Sequence, residues 1–100
     1  MTLTLAQEIE AIRLRTNVLP ALQEELQRAG ELHAPLCNAH EGIGALWEEV
    51  HELEAEVFHK EAARSYDRIR TEALHVAVVA LRIAAMSASW GAQEGKAKHS

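Results

Sequence analysis

The chain predicts an all-α fold, a helical hairpin protomer of about four helices that completes a helical bundle by homo-oligomerisation. Two observations point there first. Ala, Leu, Glu and Arg dominate the 100 residues, 48% are hydrophobic and only 4% are aromatic, a composition of packed helices rather than sheet. Apolar residues also recur at three- and four-residue spacing along most of the chain, and no stretch alternates as a strand does. The length fits one domain, placed at residues 1–90, with a small polar stretch, 91–100, expected as a flexible C-terminal tail.

In chain order, Thr4 and Gln7 stand at capping-box spacing and open a first helix with Leu5, Ile9, Ile12 and Val18 as its buried stripe. Pro20 is expected to end or kink that helix. A second segment carries Leu22 and Leu26, stops near Gly30, and gives way to a loop marked by Pro35 that ends at Asn38. Asn38 and Glu41 read as the next helix start, followed by the stripe Ile43, Leu46, Val50, Leu53 and Val57. Gly42 and Gly44 lie in its first turns, where a missing side chain permits close helix contact. The last helix, roughly 65–89, is apolar on much of its circumference through Leu74, Val76, Val78, Val79, Leu81, Ile83 and Met86. Burial on more than one side requires a second protomer, so a homodimer or dimer of dimers is expected.

Charge and cysteine usage narrow the function. A net charge of −5 with no basic stripe argues against nucleic acid as a partner. Met1-Thr2-Leu3-Thr4 has no basic n-region, and His75 and Arg82 interrupt the apolar stretch 73–90, so no signal peptide or membrane anchor is expected and the location reads as cytoplasmic. The single Cys37 forms no internal disulfide and no Cys-rich zinc site.

Chemistry concentrates in two short motifs, Glu48-Glu49-Val50-His51-Glu52 and Glu72-Ala73-Leu74-His75. Residues three apart share a helix face, so Glu49 with Glu52, and Glu72 with His75, each present two candidate metal ligands. In one continuous helix Glu52 and Glu72 would stand about 30 Å apart at ~1.5 Å per residue. A hairpin turn near Ala62 aligns both pairs at once, which places the break at 58–65. Glu48 and His51 point elsewhere by helix phase. Arg68 and Arg82 flank Glu72 and His75 and are candidate phosphate contacts.

Asn38-Ala39-His40-Glu41-Gly42, then Glu48-Glu49-x-x-Glu52, then Glu72-Ala73-Leu74-His75-Val76-Ala77, resembles the MazG-like family of all-α nucleoside triphosphate pyrophosphohydrolases, in particular its short phage and prophage versions, over residues 22–87 with a motif core at 38–87. The resemblance implies an oligomer that binds Mg²⁺ and cleaves a nucleoside triphosphate to monophosphate and pyrophosphate, a house-cleaning role in the nucleotide pool. Carried over residue by residue, it makes Glu49, Glu52 and Glu72 metal ligands and gives Glu48 a catalytic part in holding a second ion or the attacking water. His75 stands where the family pattern has Asp, which lowers affinity for Mg²⁺ and favours Mn²⁺.

Two other classes fit the same residues. Glu-x-x-His spacing at Glu48/His51, Glu56/His59 and Glu72/His75 is also that of di-iron carboxylate bundles. A degenerate, non-catalytic dimer acting as a binding module is the other, with His75 as its support.

Overall fold

The computed structural model describes residues 2–59 and 61–99; their regular structure is helical, with no strand among them. Helix α1 spans Leu5–Arg13, α2 Leu19–Leu32, α3 Ala39–Val57 and α4 Tyr66–His99. A π-helical segment, Leu14–Val18, fuses α1 to α2, so the four helices form three rods.

Pro20 therefore does not break the first rod. A proline has no N–H for the carbonyl four residues back, and its ring crowds that carbonyl. The rod widens just upstream: the Leu19 N–H donates to the Leu14 carbonyl, five residues back, and the Thr16 hydroxyl donates to the Ile12 carbonyl at 2.8 Å. One extra residue per turn carries the chain past Pro20. The cap at the other end is as expected: the Gln7 N–H donates to Thr4 Oγ1 at 3.2 Å and the Thr4 N–H to Gln7 Oε1 at 2.8 Å.

Helix α3 begins at Asn38, whose Oδ1 accepts the Glu41 N–H at 2.8 Å. The Glu41 carboxylate reaches one residue further out and accepts the Cys37 N–H at 3.3 Å. The chain leaves α3 at Phe58, makes a 3-10 turn over Glu61–Ala63, and enters α4 beneath Ser65, whose hydroxyl accepts the Arg68 N–H at 3.3 Å. The break thus lies at 58–65, as the paired motifs require; Lys60 lies outside the described residues.

Both other rods pack on α4, and α2 and α3 make no helix contact with each other. Helix α3 runs antiparallel to α4. Asn17 meets Arg70, Glu25 meets His75 and the Ala34 carbonyl meets Arg82, so α2 runs parallel to it. The loop before α3 is strapped down by the Trp90 indole N–H, which donates to the Leu36 carbonyl at 3.1 Å, and by Arg82 Nη2 on the Ala34 carbonyl at 2.8 Å. The core is Leu36, Leu74, Val78, Val79 and Trp90. Gly42 is buried against it: a Cβ there would stand 3.0 Å from Ile83 Cγ1 and 3.3 Å from Trp90 Cη2.

Structure and expectation part at both ends of the chain. The stripe on α1 forms but is not buried, with Leu5, Ile9 and Ile12 at 71%, 39% and 50% exposure. The C-terminal stretch continues α4 as far as His99; Gly91 and Gly95 sit inside the helix, where Ala92, Gln93 and Glu94 favour it and no proline opposes it. Trp47 is exposed while Trp90 packs. Within α4, Tyr66–Gly95 is long and apolar enough by length and composition to cross a membrane, and 22% of its most apolar window is buried in the chain.

The close contact at Gly42 yields a first prediction. Gly42→Leu forces α3 away from Ile83 and Trp90 and costs about 1–3 kcal/mol in urea denaturation. Gly44→Ala, with nothing within 4 Å of its Cβ, is neutral or stabilising by about 0.5–1 kcal/mol.

Candidate metal centre

Antiparallel packing of α3 on α4 brings the two motifs together. One ligand atom from each of Glu49, Glu52, Glu72 and His75 lies within 4.8 Å of all the others. A divalent ion with ligands at about 2.1–2.4 Å separates opposite ligands by about 4.2–4.8 Å, so the group has the size of one coordination sphere. His75 Nδ1 stands 3.5 Å from Glu72 Oε2 and 3.8 Å from Glu49 Oε2, both too long for hydrogen bonds. The Oε2 atoms of Glu49 and Glu72 are shut off from solvent and accept no hydrogen bond from the protein. Carboxylate oxygens in that position carry an uncompensated desolvation cost, which a cation between them removes. Three carboxylates and an imidazole converging on one point fit a divalent metal.

The remaining candidates fall into two sets. Glu48 is exposed and outside the group, on the face that helix phase assigns it. Arg68 is exposed and does not line the neighbouring cavity, whereas Arg82 does. His51 and His59 stand 3.8 Å and 3.9 Å from Glu54 and Glu56 within their own stretches, away from the cluster.

Sequence reading missed Glu25. Its carboxylate approaches His75 from α2, with Oε2 3.8 Å from Nε2, so the imidazole lies between Glu25 on one side and Glu49 and Glu72 on the other. Beside this imidazole opens a cavity of about 230 Å³, lined by Glu25, Arg28, His33, Glu49, His75 and Arg82 over a floor of Val78 and Val79. Glu25, Arg28 and His33 belong to no recognisable motif. The available signal was Glu25 and Arg28 following Leu22 at three-residue steps, on the face that α2 turns to α4.

Electrostatics follow from this crowding. Burial, and then the charge of neighbouring Glu52, hold the Glu49 carboxyl above the ordinary glutamate value of 4.5; Glu72 adds to the shift and His75 opposes it. Away from the cluster, the Glu41 carboxylate pushes the exposed Cys37 thiol up, which keeps it protonated and unreactive at neutral pH.

Because the Glu49 pKa is raised by folding, the folded chain holds this proton more tightly than the unfolded chain. Its contribution to stability is complete below pH 4.5 and is lost as pH rises through the raised pKa. In the presence of a chelator, Glu49→Gln is therefore expected to melt higher than the parent chain at pH 7. The difference closes as pH falls towards 4.5, read by thermal unfolding across that range.

Compared with known proteins, the chain matches no family model, no curated protein and no solved structure at a significant level.

Proposed function

We propose that this chain is a metal-dependent nucleoside triphosphate pyrophosphohydrolase of the MazG-like kind, acting on the bond between the α and β phosphates. The observation that carries this reading is the pair of buried, unpartnered Oε2 atoms of Glu49 and Glu72 facing His75 beside an open cavity. Glu49, Glu52, Glu72 and His75 hold the ion. Mg²⁺ suits the carboxylates, and Mn²⁺ accepts the imidazole more readily. When bound, the ion neutralises charge on phosphate oxygens and lowers the pKa of a coordinated water.

The protein's own groups supply positioning. Arg28 and Arg82 line the cavity next to the acidic cluster, so cationic and anionic surfaces meet there, as a polyphosphate bridged to carboxylates by a metal needs. Arg82 is pre-set by its bond to the Ala34 carbonyl, and Arg28 Nη1 lies 3.4 Å from Glu25. At about 230 Å³ the cavity is smaller than the ~300–1,000 Å³ of a pocket for a whole small molecule, which suits it to the phosphates and leaves the base to a wider surface. Glu25 Oε2 stands 3.8 Å from the far nitrogen of His75, on the side from which a carboxylate would orient a ligating imidazole if the two closed to hydrogen-bond distance.

His75 supports a second reading, a scaffold that keeps the site and has lost the reaction. The two part on pyrophosphate release from a panel of nucleoside triphosphates. Release with Mn²⁺ exceeding that with Mg²⁺, and falling at least about 100-fold in Glu72→Ala, is the expected result. His75→Asp is expected to shift the preference towards Mg²⁺. A parent chain silent in both metals, with activity appearing only in His75→Asp, establishes the second reading.

A further inference from the structure

The two ring nitrogens of His75 face different helices. Nδ1 stands 3.8 Å from Glu49 Oε2 of α3 and 3.5 Å from Glu72 Oε2 of α4, whereas Nε2 stands 3.8 Å from Glu25 Oε2 of α2. A neutral imidazole carries a proton on one nitrogen and a lone pair on the other, so the two sides of the ring cannot do the same work. The side that meets Glu49 and Glu72 is the side of the acidic cluster, and the side that meets Glu25 opens on the cavity.

Backbone placement brings Glu25 to this position. Helix α2 is tied to α4 at two levels, through Arg70 on Asn17 and through Arg82 on the Ala34 carbonyl. Glu25 lies between the first ends of those ties and His75 between the second, and both side chains are half-buried. The carboxylate also divides its two oxygens: Oε1 stands 3.4 Å from Arg28 Nη1 of the same helix, which leaves Oε2 to His75. An ion pair with an exposed arginine one turn away contributes little to stability and does not by itself explain why the second oxygen lies at the imidazole. The gap to Nε2 exceeds a hydrogen bond by about 0.6–1.1 Å. Glu25 borders the cavity, so rotation about its own side-chain bonds can close that gap.

We propose that Glu25 is the positioning residue for His75: its carboxylate takes the Nε2 proton, which fixes the ring and turns the Nδ1 lone pair to the metal. This rests on the metal centre proposed above and adds a fifth residue to it, from a third helix. An imidazole offers a divalent ion a lone pair and no negative charge, and a carboxylate behind the ring makes it the stronger ligand. Glu25 and His75 therefore act as one unit, and removal of Glu25 matters only while His75 is there to be held.

That dependence is the test. Mn²⁺ affinity is measured by titration for the parent chain, Glu25→Leu, His75→Asp and the double variant, each checked for native helicity by circular dichroism. Glu25→Leu is expected to weaken binding by about 10–100-fold in the parent chain. The loss is expected to be at least about fivefold smaller in the His75→Asp background, where no ring remains to be positioned. A smaller difference between the two backgrounds means that Glu25 acts only as a distant negative charge, and overturns the proposal. Glu25→Ala gives the same comparison should the leucine disturb folding. Nitrogen coupling in the electron paramagnetic resonance of Mn²⁺ bound to the parent chain separates the two readings: its absence overturns the metal centre and this role together, whereas coupling present with equal losses overturns the role of Glu25 alone.

Discussion

The register of α3 on α4 is the constraint on which the rest of this structure depends. It is fixed at the end far from the hairpin by Gly42, whose missing side chain lets α3 approach Ile83 and Trp90. At the other end the connection over 58–65 limits how far the helices can slide. Between those points Glu49 and Glu52 fall opposite His75 and Glu72. Close approach of backbones, rather than attraction between the site's own groups, sets this meeting: three carboxylates repel one another, and the distances of 3.5 Å and 3.8 Å to His75 are too long for hydrogen bonds. The hydrophobic seam of Leu74, Val78 and Val79 together with Trp90 opposes that repulsion.

Much of this was legible in the sequence because it rests on local rules. Capping at Thr4 and Asn38 follows from side-chain oxygens answering unpaired N–H groups, and the hairpin follows from requiring two Glu-containing motifs to meet. What escaped depends on relations that local rules do not carry. Glu25 reaches His75 because α2 lies parallel to α4, an arrangement set by the course of the loop 33–38 and its bonds to Arg82 and Trp90. The rod passes Pro20 because a π segment absorbs the proline, and propensity at a single residue does not reveal that. The α1 stripe was read correctly as apolar and wrongly as buried, since periodicity shows which face seeks burial and not which surface provides it.

Small core and crowded carboxylates belong to one physical picture. No side chain among the described residues is fully shielded, the principal hydrophobic seam lies along α4, and oxygens of Glu49 and Glu72 are sequestered without hydrogen bonds. A chain built this way has little stability to spare. An ion among Glu49, Glu52, Glu72 and His75 would bind the folded form and stabilise it by mass action.

Pulsed electron paramagnetic resonance of the protein loaded with one equivalent of Mn²⁺ tests the metal assignment most directly. The account predicts a single bound ion whose signal is modulated by a directly coordinated imidazole nitrogen, with the modulation lost in His75→Asp while the ion stays bound. Mn²⁺ bound without nitrogen coupling, or retained unchanged after Glu49→Gln and Glu72→Gln together, would contradict it.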